Sequence, residues 1–446
     1  MNAAPGNADR PAEVTPAQAL AFWLKLGFIS FGGPAGQISI MHQELVERRR
    51  WISERRFLHA LNYCMVLPGP EAQQLATYIG WLLHGRWGGV VAGGLFVLPS
   101  LLILILLSWV YLVWGETALV AGILYGVKPA VIAVVAHAAW RIGRRTLHNV
   151  ALWAIAAAAF VAIFAFNLPF PAIIATAALL GFAGGRLRPA WFAAAGGHGG
   201  AKRALGPALI DDDTPPPPHA RFRWRGLLRT IAAGTLLWLA TLAAIALATG
   251  WDSMLTAMAT FFTKAALLTF GGAYAVLPYV VQGAVQHYGW LTPAQMIDGL
   301  ALGETTPGPL IMVVAFVAFV GGWGQAVIAD SPLLSGVAAA CVTTWFTFLP
   351  SFLFIFAGAP VIETTHRQPK LTAPLTGITA AVVGVIVNLA VFFAAHVLWP
   401  EGAAAGVDWR SALIAGAAAL ALFRYNMPVV PLIGAAAVAG LLVSAI

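Results

Sequence analysis

The chain has 446 residues, 60% of them hydrophobic and only 9% charged, with a formal net charge of +8 and a mean hydropathy of +0.82. So little polar surface cannot cover a water-soluble globule, so the chain reads as an integral membrane protein embedded in a lipid bilayer. The basic residues collect in a few loops, where they report orientation rather than nucleic-acid binding.

Residues 1–15 form a polar tail without the apolar core of a signal peptide. The apolar segment from Pro16 to Met41 carries Lys25 and is interrupted at Phe31-Gly32-Gly33-Pro34. A loop with Arg48, Arg49, Arg50, Arg55 and Arg56 follows, then the segment from Phe57 to His84, interrupted at Leu67-Pro68-Gly69-Pro70. Four apolar runs come next, Gly88 to Val113, Ala118 to Trp140, Val150 to Phe166 and Leu168 to Gly185, each wide enough to cross a hydrocarbon core of about 30 Å. Their loops alternate in charge: Arg141, Arg144 and Arg145 fall inside and Glu116 outside. Counting back places Arg86 and the five-arginine loop on the same inner side. The segments 16–41 and 57–84 are therefore expected to dip into the membrane and return. Full but kinked spans are the alternative, since membrane helices tolerate proline and glycine.

From Arg186 the apolar text stops, giving way to glycine pairs, Asp211-Asp212-Asp213 and the run Pro215 to Pro218. This composition predicts a flexible linker, 186–226, and its many arginines predict a cytoplasmic one. One further apolar span, 227–250, has no counterpart upstream. After it the first half is said again: Phe270-Gly271-Gly272, Trp290 and Pro307-Gly308-Pro309 repeat Phe31-Gly32-Gly33, Trp51 and Pro68-Gly69-Pro70 at one offset (270 − 31 = 290 − 51 = 307 − 68 = 239), and Lys264 repeats Lys25. Later matches, such as Leu349-Pro350-Ser351 with Leu98-Pro99-Ser100, keep a second offset (350 − 99 = 251). The single extra span inverts the orientation of every segment downstream. The charges agree, because residues 287–294, matching the arginine loop, contain no Lys or Arg, and Glu116 matches Arg367 with Lys370 nearby. The expected fold is all-α: two inverted repeats, 16–185 and 251–446, each with broken or re-entrant helices plus about four transmembrane helices, as in transporters built on alternating access.

Gly32-Gly33 and Gly271-Gly272 at helix breaks expose backbone N–H groups and helix N-termini, which favour an anion; close helix packing is the competing use of such glycines. The Pro68-Gly69-Pro70 and Pro307-Gly308-Pro309 tips, with Gln73 after the first and Thr305 and Thr306 before the second, add donors suited to an oxyanion, although helix capping equally explains the threonines. Lys25, Lys128 and Lys264, three of only five lysines, lie in apolar text, where a cation costs at least about 2.5 to 3.5 kcal/mol unless it is paired or faces water. Lys25 and Lys264 are candidate substrate-binding residues that balance the anion's charge, and Lys128 is a candidate for charge balance, the competing reading being buried ion pairs with Glu71 or Glu304. Those two carboxylates flank the tips and are candidates for proton coupling. Cys64, Cys341, His59, His84 and His137 show no metal-ligand or redox spacing, so neither metal nor cofactor is expected. No Walker-type phosphate loop, GxSxG elbow or HExxH helix occurs, which argues against ATP-driven pumping and the common hydrolases.

The strings Phe31-Gly32-Gly33-Pro34, Leu67-Pro68-Gly69-Pro70-Glu71-Ala72-Gln73-Gln74 and Gly303-Glu304-Thr305-Thr306-Pro307-Gly308-Pro309 together resemble the chromate ion transporters in their long, two-repeat form. The resemblance covers both halves. It implies a multi-pass protein of the bacterial inner membrane that exports chromate and confers chromate resistance, with sulfate as the alternative cargo, and with short members working as oppositely oriented pairs. A homodimer is the candidate assembly. From a different class, an intramembrane enzyme using Glu71, Glu304 and histidines as acid and base is the competing function; it lacks any nucleophile and base constellation.

Overall fold

The computed structural model describes residues 11–192, 206–326, 328, 330–365, 372–402, 404 and 406–444. The glycine pairs of the linker with Lys202 and Arg203, and the Arg367 and Lys370 loop, lie outside the described residues.

Helix α1 (Pro16–Ile29) starts on a capping box in which Thr15 and Gln18 satisfy each other's backbone amides. It stops at Ser30, and α2 (Gly33–His42) departs from a left-handed Gly32 and returns through a π turn, Gln43–Arg48. Helix α3 (Glu54–Cys64) runs to the Pro68-Gly69-Pro70 tip, from which α4 (Glu71–Trp114) leaves. Helix α4 is two antiparallel limbs. It folds back at His84 and Gly85, where the backbone leaves helical geometry, and Gly80 of one limb packs on Gly88 and Ala92 of the other. Small residues permit that close approach.

One face of the molecule holds the ends of all these segments, and the linker marks it. Ile52 bridges Ile210, Ser53 Oγ donates to Asp212 at 2.6 Å, Arg56 donates to the Thr214 carbonyl, and His219 Nε2 lies 2.9 Å from the Trp81 carbonyl. His84, in turn, reaches the Val14 carbonyl at 2.8 Å. The starts of α1 and α3 and the far end of the first α4 limb therefore share the linker face, so both segments are re-entrant hairpins. This docking also corrects the flexible-linker expectation for residues 206–223. Ala208, Ile210 and Ala220 are buried there, because the strap supplies backbone and aspartate partners to the arginine-rich mouths of the hairpins.

Helices α5 (Ala118–Thr146), α6 (Val150–Phe164) and α7 (Phe170–Leu187) complete the first repeat. Helix α8 (Trp224–Thr249) then crosses from the linker face, where Arg86 donates to Thr230, and α9 (Met254–Leu268) turns back along it, with Trp238 Nε1 donating to Thr263 at 3.0 Å. The second set of hairpins thus enters from the opposite face: α9 with α10 (Ala273–Val280), and α11 (Pro293–Thr305) with α12 (Val313–Gln325). Antiparallel packing of Gly283 on Phe261 and of Gly299 on Phe316 closes them. Helices α13 (Pro332–Thr365), α14 (Thr372–Leu398), α15 (Trp409–Tyr425) and α16 (Val429–Ser444) follow. Six of the described helices are long and apolar enough to span a membrane.

The repeats are interlocked. Gly126 of α5 presses on Ala436 and Gly440 of α16, while its counterpart Gly377 of α14 presses on Ala177 and Gly181 of α7. Each repeat's last helices therefore pack on the other repeat's long helix.

Candidate functional site

The four helix breaks, scattered through 280 residues of sequence, meet in two pairs, each tip against the other repeat's glycine break. The amide of Gly69 at the first tip donates to the carbonyl of Thr269 at 2.7 Å, and the amide of Gly308 at the second tip donates to the carbonyl of Ser30 at 2.8 Å. These are one bond drawn twice, since 308 − 69 and 269 − 30 both equal 239. Ser30 and Thr269 also cap themselves identically, their hydroxyls donating to the Leu26 and Ala265 carbonyls one turn back. Gly69 and Gly308 adopt φ of 122° and 104°, and a Cβ at either would collide with Ser351 or Ser100, themselves equivalent positions after Pro350 and Pro99. Only glycine fits there.

This geometry refines the expected donor set. The tip glycine amides are engaged in holding the repeats together. By contrast, the amides of Gly32, Gly33, Gly271 and Gly272 find no acceptor among the described residues, and Gly33 and Gly272 have open space where a side chain would stand. They lie at the N-termini of α2 and α10, whose dipoles add positive potential.

Polar side chains lie beside both pairs of breaks. Gln37 donates from Nε2 to both the Ser30 and Gly308 carbonyls, and Gln74 donates to the Pro68 carbonyl at 2.7 Å and to Ser351 at 3.4 Å. Gln73 donates to Thr77 at 3.0 Å. The Oε1 atoms of Gln37, Gln73 and Gln74 and the Ser100 hydroxyl are buried without a hydrogen-bond partner. Unsatisfied buried polar atoms in such number are uncommon unless a ligand or solvent completes them. Glu71 opens α4, and Glu304 in the last turn of α11 accepts from the buried Tyr274 hydroxyl. Thr305 and Thr306 turn their hydroxyl protons to the Leu302 and Gly303 carbonyls of their own helix, at 2.8 and 3.0 Å, as the capping alternative anticipates.

The lysines are not drawn into this cluster. Lys25 is exposed on a stripe of α1 shared with Leu20, Leu24 and Phe28, and Lys264 is exposed on α9. Neither has a carboxylate within ion-pair distance among the described residues. Lys128 is paired, but with Asp298 at 3.2 Å rather than with Glu71 or Glu304, and Tyr111 donates to the same carboxylate oxygen at 3.0 Å. The reason is geometric: α11 lays Asp298 beside α5, whereas Glu304 is turned toward Tyr274. Asp298 escaped notice because its counterpart is His59 (298 − 239 = 59), so the repeat gave no signal. Gln37, Tyr274, Ser30 and Thr269 were also missed; for the last two, hydroxyl residues at the shared offset were a usable clue.

The family described as chromate transporter matches residues 17–182 and 256–441, one stretch per repeat. A chromate transport protein of Pseudomonas aeruginosa is 35% identical over 445 residues, covering 97% of this chain and 94% of that one. A probable chromate transport protein of Synechococcus elongatus is 30% identical, covering 86% of this chain and 87% of that one. The uncharacterized transporter YwrB of Bacillus subtilis is 31% identical over 127 residues, 28% of this chain and 64% of that one. No solved structure matches.

Proposed function

The chain belongs to the chromate transporter family, and from that premise we propose that it carries chromate, a tetrahedral dianion, outward across a bacterial inner membrane, with the linker face toward the cytoplasm. The observation that carries this reading is the reciprocal pairing of the four breaks between the two repeats. At the two glycine-pair breaks the amides of both halves have no acceptor among the described residues, and the first half adds the buried Oε1 atoms of Gln37, Gln73 and Gln74 and the Ser100 hydroxyl without partners. The free glycine N–H groups and the Ser100 hydroxyl are donors that can replace the hydration of a doubly charged oxyanion without burying a fixed cation. Inverted repeats supply the movement, since exchanging the conformations of the two halves turns an opening toward one face into an opening toward the other.

The direction follows from charge. A dianion leaving an inside-negative cell gains about 2 × 2.3 kcal/mol per 100 mV, enough to drive efflux and resistance without another fuel. Lys25 and Lys264, about one turn before the breaks, act at long range on the anion, and Glu71 and the Glu304–Tyr274 pair provide for proton coupling. The linker arginines at the hairpin mouths support the cytoplasmic assignment.

The test is uptake of radiolabelled chromate by everted membrane vesicles containing the full chain. Saturable uptake that rises with a lumen-positive potential is expected; uptake no greater than in vesicles lacking the protein sinks the reading. Sulfate is the second cargo, favoured by the lack of any side chain specific for chromium. Full competition by sulfate at equal concentration would make sulfate the equal or preferred cargo.

A further inference from the structure

Two clusters away from the paired breaks have the same makeup, a buried carboxylate with a phenol and a cation, and both cross from one repeat to the other. On the linker side, Glu363 near the end of α13 accepts from the Tyr78 hydroxyl of the first α4 limb at 2.5 Å and lies 3.8 Å from Arg56 of α3. On the opposite side, Asp298 of α11 accepts from the hydroxyl of Tyr111, near the end of the second α4 limb, at 3.0 Å and pairs with Lys128 of α5 at 3.2 Å. Each cluster ties a re-entrant hairpin to the long helix of the other repeat. The linker strap also spans the first one, since Arg56 donates to the Thr214 carbonyl and the Phe222 amide donates to Thr364, next to Glu363.

Duplication did not copy these clusters. At the repeat offsets, Arg56, Tyr78 and Glu363 correspond to Gln295, Val317 and Leu112, and Tyr111, Asp298 and Lys128 to Ile362, His59 and Thr379. Neither counterpart set contains a carboxylate, so each face has acquired its own. A buried ion pair adds little net stability, because desolvation offsets the attraction, and its best use is to select one arrangement over another.

Resting on the alternating-access reading, we propose that these clusters are the latches of the two mouths, Tyr78, Glu363 and Arg56 holding the linker-side mouth shut and Tyr111, Asp298 and Lys128 the opposite one. Both are closed in the structure. The hairpin tips are anchored by the reciprocal Gly69 and Gly308 bonds, so a hairpin parts from the long helix at its mouth end, where its latch lies. Opening one face breaks one cluster and leaves the other whole. The six side chains are positioning residues, acting on the path and not on the anion.

The experiment follows a reporter cysteine beside the breaks with a membrane-impermeant thiosulfonate. Ser100→Cys is placed in a full chain that also carries Cys64→Ala and Cys341→Ala, and its labelling rate is measured in everted vesicles, which present the linker face, and in right-side-out ones. Tyr78→Phe and Glu363→Gln are expected to raise the rate from the linker face about fivefold and to lower it from the opposite face, the size expected when one buried hydrogen bond leaves a two-state equilibrium. Tyr111→Phe and Asp298→Asn should do the reverse. The tyrosine variants lose a single oxygen, so the comparison survives if a carboxamide variant fails to insert. A merely loosened fold would raise labelling from both faces, and an ordinary packing contact would leave the ratio of the two rates unchanged; either result overturns the latches. The readout needs no anion. Reciprocal shifts in a protein that takes up no chromate would therefore remove the chromate reading and keep the latches.

Discussion

The first repeat presents glutamines to the shared centre, Gln37, Gln73 and Gln74, whereas the second presents the Tyr274 hydroxyl, Glu304 and Thr306. Their counterparts differ completely: Val276, Met312 and Val313 replace the glutamines, and Ala35, Met65 and Leu67 replace the second set. Yet the backbones around them are nearly one object seen twice, down to the reciprocal bonds of Gly69 and Gly308. Each tip is completed by the other repeat's broken helix, so a change in one backbone breaks two halves at once. Side chains carry no such reciprocal duty. The first repeat sets neutral amides beside its carboxylate Glu71, whereas the second pairs its carboxylate Glu304 with the Tyr274 phenol.

The harshest test of this contrast is at Asp298, which has no equivalent in the first repeat. Lys128→Met leaves the buried Asp298 carboxylate without its cation and is expected to cost about 3 to 5 kcal/mol of stability, whereas Asp298→Leu, which leaves only the half-buried Lys128, should cost less. The double variant should recover most of it; thermal unfolding in detergent checks this, and a double variant no better than either single one refutes the pairing. Next in size is the backbone. Gly69→Val and Gly308→Val should each lower chromate uptake at least about a hundredfold, because both force a β-branched residue into a strained left-handed region against a serine of the other repeat. Unequal losses would show that the repeats are not mechanically equivalent.

Side-chain substitutions should separate the halves instead. Gln73→Leu is expected to raise KM for chromate about tenfold through loss of a buried carboxamide and its bond to Thr77, with the pH profile of uptake unchanged. Glu304→Gln should alter that profile while moving KM less; if both variants change only KM, the division of labour fails. The smallest effects belong to the exposed lysines. Lys25→Met and Lys264→Met should each reduce uptake about two- to threefold, since their charges act at a distance and are screened. A complete loss in either would mean that the ammonium touches the anion directly.

Much of the architecture was legible in the chain. Duplication, the breaks at Gly32-Gly33 and Pro68-Gly69-Pro70, the unmatched α8 and the charge reversal between matched loops sufficed for inverted re-entrant hairpins. Of the candidate residues read from the sequence, the glycines and Gln73 lie at or beside the paired breaks, Lys25 and Lys264 are exposed, and the polar residues Gln37, Tyr274 and Asp298 gave no signal in the sequence. A cation in apolar text signals only that something must compensate it, and an exposed flank of α1 does so without any partner.

Composition, hydrophobic length and helix-breaking residues are local properties, so the sequence alone determined which segments are apolar helices and where they stop. Which stopping points touch is not local. The bonds from Gly69 to Thr269 and from Gly308 to Ser30, the Lys128–Asp298 pair and the crossing of Gly126 on Gly440 join residues at least 170 positions apart. Only packing of the two halves against each other selects those partners, because a backbone group freed at a helix break has no hydrogen-bonding solvent in lipid and must find its acceptor in whatever element the fold brings beside it.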